Sequence, residues 1–140
     1  MNANTTHFVS LLERRTDLLQ LLIESLRSVR NAVIAFDVHG LETGIAEQKD
    51  LCARIRMLDA DIDKQRHGRD ETDPRLRGAF ERMIAAASLT HQLNHAQRSL
   101  LRHSRRTVDA LMNSYRIFAI TYADPAAGTH SAGEKVQPWA

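Results

Sequence analysis

From Phe8 onward one line of positions recurs at alternating intervals of four and three. Phe8, Leu12, Leu19, Leu22, Leu26, Val29, Val33 and Phe36 occupy it, and only Arg15 interrupts it. Such a line is the seam of an α-helix packed lengthwise on other helices. Asn4, Thr5 and Thr6 are candidate caps for its start. The stretch FDVHGLETG then breaks the pattern, because Gly40 and Gly44 lower helix propensity and Asp37 is suited to cap a new start. A second seam follows through Leu41, Ile45, Cys52, Ile55, Leu58 and Ile62, with the polar Gln48 falling on it. The polar segment RHGRDETDPR ends that helix, and Asp73 before Pro74 reads as an N-cap followed by proline at the first helical position.

From Pro74 a single register then holds for an unusual distance. Leu76, Phe80, Met83 and Ala87 open it, Thr90, Asn94, Gln97 and Ser104 make its middle polar around Leu101, and Val108, Leu111, Tyr115, Phe118 and Tyr122 close it. A polar layer in a seam fixes register or partner number at some cost in stability. At ~1.5 Å per residue this third helix is about 70 Å long, against roughly 45 Å and about 40 Å for the first two. If short turns make neighbours antiparallel, helix 3 runs parallel to helix 1 and outlasts both near residue 105. The apolar positions beyond that point then lack cover, unless the helix breaks in its polar middle and the last part folds back as a fourth helix.

The expected fold is therefore all-α: an elongated antiparallel helical hairpin or bundle of three helices, with a long third helix and a coiled-coil-like seam. Composition agrees, since 140 residues with only 6 Gly, 3 Pro and 5% aromatics suit one mostly helical domain. That domain is expected over residues 1–122, with a flexible tail over 123–140 that carries Trp139. The lone Cys52 excludes an intramolecular disulfide and reads as a small buried side chain among Leu51 and Ile55. MNANTTHFVSLLERR lacks a basic region followed by an apolar core, and no run approaches the ~18 apolar residues that span a bilayer. A soluble, cytoplasmic protein without membrane insertion is expected.

Candidate chemistry is sparse. His91 and His95 stand four apart on helix 3, the spacing of a zinc-binding pair, but Gln92 replaces the glutamate of a metalloprotease helix. At 100° per residue His91 lies about 90° from the seam and His95 about 130°, with His103 on the far side, so the three do not converge. No metal or cofactor is expected. Arg98, Arg102, Arg105, Arg106 and Arg116 against Asp109 make the segment locally positive, which suits a phosphate backbone as well as a solvated face. Without a recognition module or interleaved aromatics, nucleic acid is not an expected partner. Beside the polar layer, Leu89, Leu93, Ala96 and Leu100 form a second apolar stripe, either a contact within the bundle or a groove wall for a helix from elsewhere. With no paired carboxylates, phosphate loop or activated nucleophile, no enzymatic activity is expected.

Three pieces of the chain, within about residues 8–128, resemble the FlgN-type flagellar export chaperone family. The first is the turn AFDVHGL leading into AEQKDLCARI, with Glu47, Lys49 and Leu51. The second is LNHAQRSLLRHSRRTVDALMNSY, with its Asn, its Leu pair and its Leu-rich continuation. The third is TYADPAAG. Gln97 stands where the family typically has a second Asn, and no Gly directly follows Tyr122. The resemblance implies a helical, cytoplasmic, non-enzymatic chaperone whose C-terminal half binds C-terminal helical segments of hook-associated proteins and delivers them to the type III export apparatus. It also implies possible contact with export-apparatus components.

The client-binding residues expected from the two lines together are Leu100, Leu101, Arg105, Val108, Leu111, Met112, Tyr115, Phe118 and Tyr122. Arg102, Arg105 and Arg106 would favour acidic neighbours on the client. The alternative from another class is a structural coiled-coil or helical-bundle protein that self-associates, as a homodimer, through its third helix.

Overall fold

The computed structural model describes residues 3–66 and 72–122, and among them it contains three α-helices and no strand. Helix α1 spans Ala3–Ile34, α2 spans Val38–Gln65 and α3 spans Pro74–Tyr122. The all-α helical bundle expected from the seams is the observed one. The chain divides into two compact units, Met1–Leu101 and Arg102–Ala140. The first holds α1, α2 and the early part of α3. The tail with Trp139 and part of the polar segment before Asp73 lie outside the described residues.

Helix α1 is already running at Ala3, so Asn4, Thr5 and Thr6 sit inside it rather than capping it. Its other end is a tight corner. The Phe36 N–H donates to the Val33 carbonyl and the Asp37 N–H to the Ala32 carbonyl, the paired bonds of a Schellman motif. Asp37 then serves at once as the N-cap of α2, its carboxylate accepting from the Gly40 N–H at 2.9 Å. The second helix therefore starts at Val38, and Gly40 and Gly44 belong to it rather than to a loop. At Asp73 the expected cap is present: its carboxylate accepts from the Arg75 N–H at 2.9 Å, and Pro74 is the first helical residue.

The corner places Phe36, expected on the apolar seam, at the left-handed position of that motif, with φ of 54° and 89% of its surface exposed. An L-residue there costs about 1–2 kcal/mol, which glycine avoids. Phe36→Gly removes no buried contact. It is expected to stabilise the fold by about 1 kcal/mol, read as a higher urea midpoint at unchanged slope.

Within the first unit α1 and α2 are antiparallel. Phe8, Leu11 and Leu12 meet Leu58 and Ile62 at one end, and Leu19, Leu22 and Leu26 meet Leu51 and Ile55 further along. Beyond these, the Ser25 hydroxyl donates to the Gly44 carbonyl at 3.4 Å. The first-unit part of α3 lies over both and runs parallel to α1, as the turn lengths predicted. Leu76 and Ala79 join the Phe8 cluster and Ala86 joins the Leu19 cluster. The rings of Phe8 and Phe80 pack at a centroid distance of 6.0 Å in a tilted arrangement. Cys52 is half-buried against the second cluster.

Polar residues on the seams find one another. Arg15, the lone interruption of the first seam, pairs through Nε with Asp59 of α2. Gln48, the misfit of the second seam, meets Gln97 of the polar layer in α3, and the two amides exchange reciprocal hydrogen bonds of 3.0 Å. A half-buried amide pair of this kind is satisfied only in one register, because sliding α3 by a turn leaves both amides unpaired. Thr90 needs no partner helix, since its hydroxyl donates to the Ala86 carbonyl one turn back. No buried side-chain polar atom among the described residues lacks a partner.

Candidate functional site

Helix α3 is uninterrupted from Pro74 to Tyr122, so it neither breaks in its polar middle nor yields a fourth helix. Asp73 and Pro74 start it, and no glycine follows Gly78 and no proline follows Pro74 before it ends. The candidate site residues divide between the two units. Leu100 and Leu101 are half-buried in the first unit, where Leu100 faces a groove with Leu26, Leu93 and Ala96. Arg105, Val108, Leu111, Met112, Tyr115 and Phe118 lie in the second. The side chain of Tyr122 lies outside the described residues.

The described part of the second unit is one helix, residues 102–122, and a lone helix cannot bury its own apolar stripe. Val108, Leu111, Met112, Tyr115 and Phe118 are each between 52 and 68% exposed. At 100° per residue Val108, Leu111, Tyr115 and Phe118 fall within one stripe, with Met112 at its margin. That stripe has two unlike edges. Along one run Arg105 and Arg116, with Asp109 and Arg102 just behind, all exposed. Along the other run Thr107, Ser114 and Thr121, seven residues apart, each donating its hydroxyl to the carbonyl one turn back: His103, Ala110 and Ile117, at 3.1, 3.0 and 2.8 Å. These hydroxyls have already met their hydrogen-bonding need, so that edge is small and places little polar demand on a neighbour.

Seam reasoning missed Ile117 and Ile120, which are 65 and 72% exposed. They lie off the stripe, so periodicity passes over them. The signal that finds them is the charge-free run IFAITY, which turns the last two turns of the helix apolar on most of its circumference. The exposed apolar surface is therefore a stripe from Val108 to Phe118 that widens at its C-terminal end.

His91, His95 and His103 are exposed on α3, and among the described residues no three His, Cys, Asp or Glu side chains gather as a metal site would require. No helix among the described residues is long and apolar enough to cross a membrane. Compared with protein-family models, with curated proteins and with solved structures, the chain matches none of them.

Proposed function

We propose that this chain is a cytoplasmic export chaperone of the flagellar type III kind, which holds C-terminal helical segments of hook-associated proteins and hands them to the export apparatus. The single observation that carries the reading is the apolar stripe Val108, Leu111, Met112, Tyr115 and Phe118, exposed on the one helix that the described residues of its unit form. Burying each such side chain contributes roughly 1.5–3 kcal/mol, enough in sum to offset the cost of association. The resemblance of residues 93–115 to the export-chaperone family supports the same segment.

A lone helix offers a ridge rather than a groove, so the client helix packs lengthwise on it with coiled-coil-like interdigitation. The small hydroxyl edge admits close approach of the client backbone. The arginine edge favours carboxylates on the client's opposite flank and disfavours a basic one. Met112 and Tyr115 adapt to more than one client sequence.

The test is isothermal titration against the C-terminal segments of hook-associated proteins, with flagellin as the specificity control. Saturable binding to the former alone is expected. The double variant Leu111→Asp with Tyr115→Asp changes only exposed positions, so it is expected to retain helicity while losing client affinity at least about tenfold. Unchanged affinity in that variant would sink the proposal.

A second reading, self-association through α3, is favoured by the same spacing of three and four. Arg102, Arg105, Arg106 and Arg116 against Asp109 oppose a parallel homodimer of this segment. Sedimentation discriminates, because a tight dimer that does not exchange for client supports the structural role.

A further inference from the structure

On the flank of the first unit, α1 and α3 leave an open groove of about 340 Å³. Leu26 forms its floor at 3% exposure, Leu93, Ala96 and Leu100 line one wall, and Arg27 and Arg30 stand along the other. Three features of these residues bear on what the groove accepts.

The first is charge. Arg15, Arg54 and Arg82 each have a carboxylate within salt-bridge distance, Asp59, Asp50 and Glu13 respectively. Among the described residues no carboxylate pairs with Arg27 or Arg30. The second is the scarcity of other polar groups. Gln97 is the only other polar lining residue, and its amide is committed to Gln48. The third is length. Leu93 and Leu100 lie seven residues apart, about 10 Å along the helix, which is two turns of a partner helix. Arg27 and Arg30 are one turn apart on the facing wall.

We propose that this groove docks an acidic amphipathic helix from a partner protein. Two apolar anchors at i and i+7, with one at i+3 or i+4 between them, enter over Leu26, and carboxylates one turn apart on one flank meet Arg27 and Arg30. A phosphate-bearing ligand gains nothing from the apolar floor, and a basic helix is repelled at the rim. The surface is separate from the stripe of residues 108–118, and the inference does not rest on the export-chaperone reading.

The experiment uses the full chain and three helix-stapled fluorescent peptides with the same Leu anchors and flanks of Glu, Gln or Lys, followed by anisotropy. The Glu peptide is expected to bind saturably and at least about tenfold more tightly than the Lys peptide. The variant R27E/R30E is expected to reverse that order. Gained affinity for the Lys peptide is a result that a misfolded protein cannot produce. Ala96→Trp, which fills the groove from an exposed position, is expected to abolish binding, whereas Leu111→Asp with Tyr115→Asp leaves it unchanged. Equal binding of the Glu and Lys peptides overturns the proposal. So does a loss confined to the Leu111 and Tyr115 variant, which assigns the peptide to the stripe instead.

Discussion

Leu12→Ala is expected to lower the stability of the first unit by about 3–4 kcal/mol, while Leu111→Ala leaves the unfolding transition within about 0.5 kcal/mol of the parent. Both leucines occupy seam positions of the same spacing and chemistry. Leu12 is 0% exposed and packed with Phe8, Leu58 and Leu76, so truncating it removes transfer free energy and leaves a cavity that stiff helices fill poorly. Leu111 is 65% exposed, so truncation there takes nothing out of a core and slightly improves helix propensity. Urea denaturation followed by circular dichroism reads both. Comparable destabilisation at the two positions would show that the stripe is covered in the free protein, which would remove the support it gives to client binding.

The second large effect is expected at Gly44, and its sign is the informative part. Glycine to alanine inside a helix ordinarily stabilises by about 1 kcal/mol. Here a Cβ would stand 2.4 Å from Val29 Cγ2, and Val29 is fully buried at 0% exposure. A β-branched side chain has few rotamers to retreat into, so α1 and α2 must separate or Val29 must strain. Gly44→Ala is expected to cost about 2 kcal/mol. In a Val29→Ala background the methyl has room. The double variant is therefore expected to be more stable than the sum of the two single effects by about 1 kcal/mol or more, the coupling expected of residues in contact. Strict additivity would mean that the close approach does not constrain the pair. The buried Ser25 hydroxyl bonded to the Gly44 carbonyl depends on the same approach and is lost if the helices separate.

Much of the first unit was legible because capping and periodicity are local. Asp37 and the Asp73–Pro74 pair announced their helices, and both carboxylates accept the expected backbone N–H. The polar members of the seams were legible as anomalies but not as partners. Arg15 and Gln48 each stood out on an apolar line, yet nothing in the order of residues says that Asp59 receives one and Gln97 the other. The glycines misled, since low propensity suggested a loop where both lie inside α2, Gly40 against the capping Asp37 and Gly44 at a close approach to Val29. Phe36 misled in the opposite direction, being apolar and in register while occupying a left-handed corner position that hydrogen bonds to Val33 and Ala32 define.

The candidate site shows the same division. Spacing marked Val108, Leu111, Tyr115 and Phe118, but it gave no means to include Ile117 and Ile120, which lie off the stripe and are exposed all the same. It also gave no sign that Leu93, Ala96 and Leu100 would face, across a groove, two arginines with no carboxylate partner among the described residues.

By itself the sequence determined the three helices, the N-caps of the second and third, and the line of apolar positions along each, because these depend on residues within a turn or two of one another. The tertiary structure decided which parts of those lines are buried, which polar residues pair, and where a glycine is required. Those outcomes depend on which atoms of distant segments come within contact distance, and Leu12 and Leu111, alike in the sequence, differ only in that.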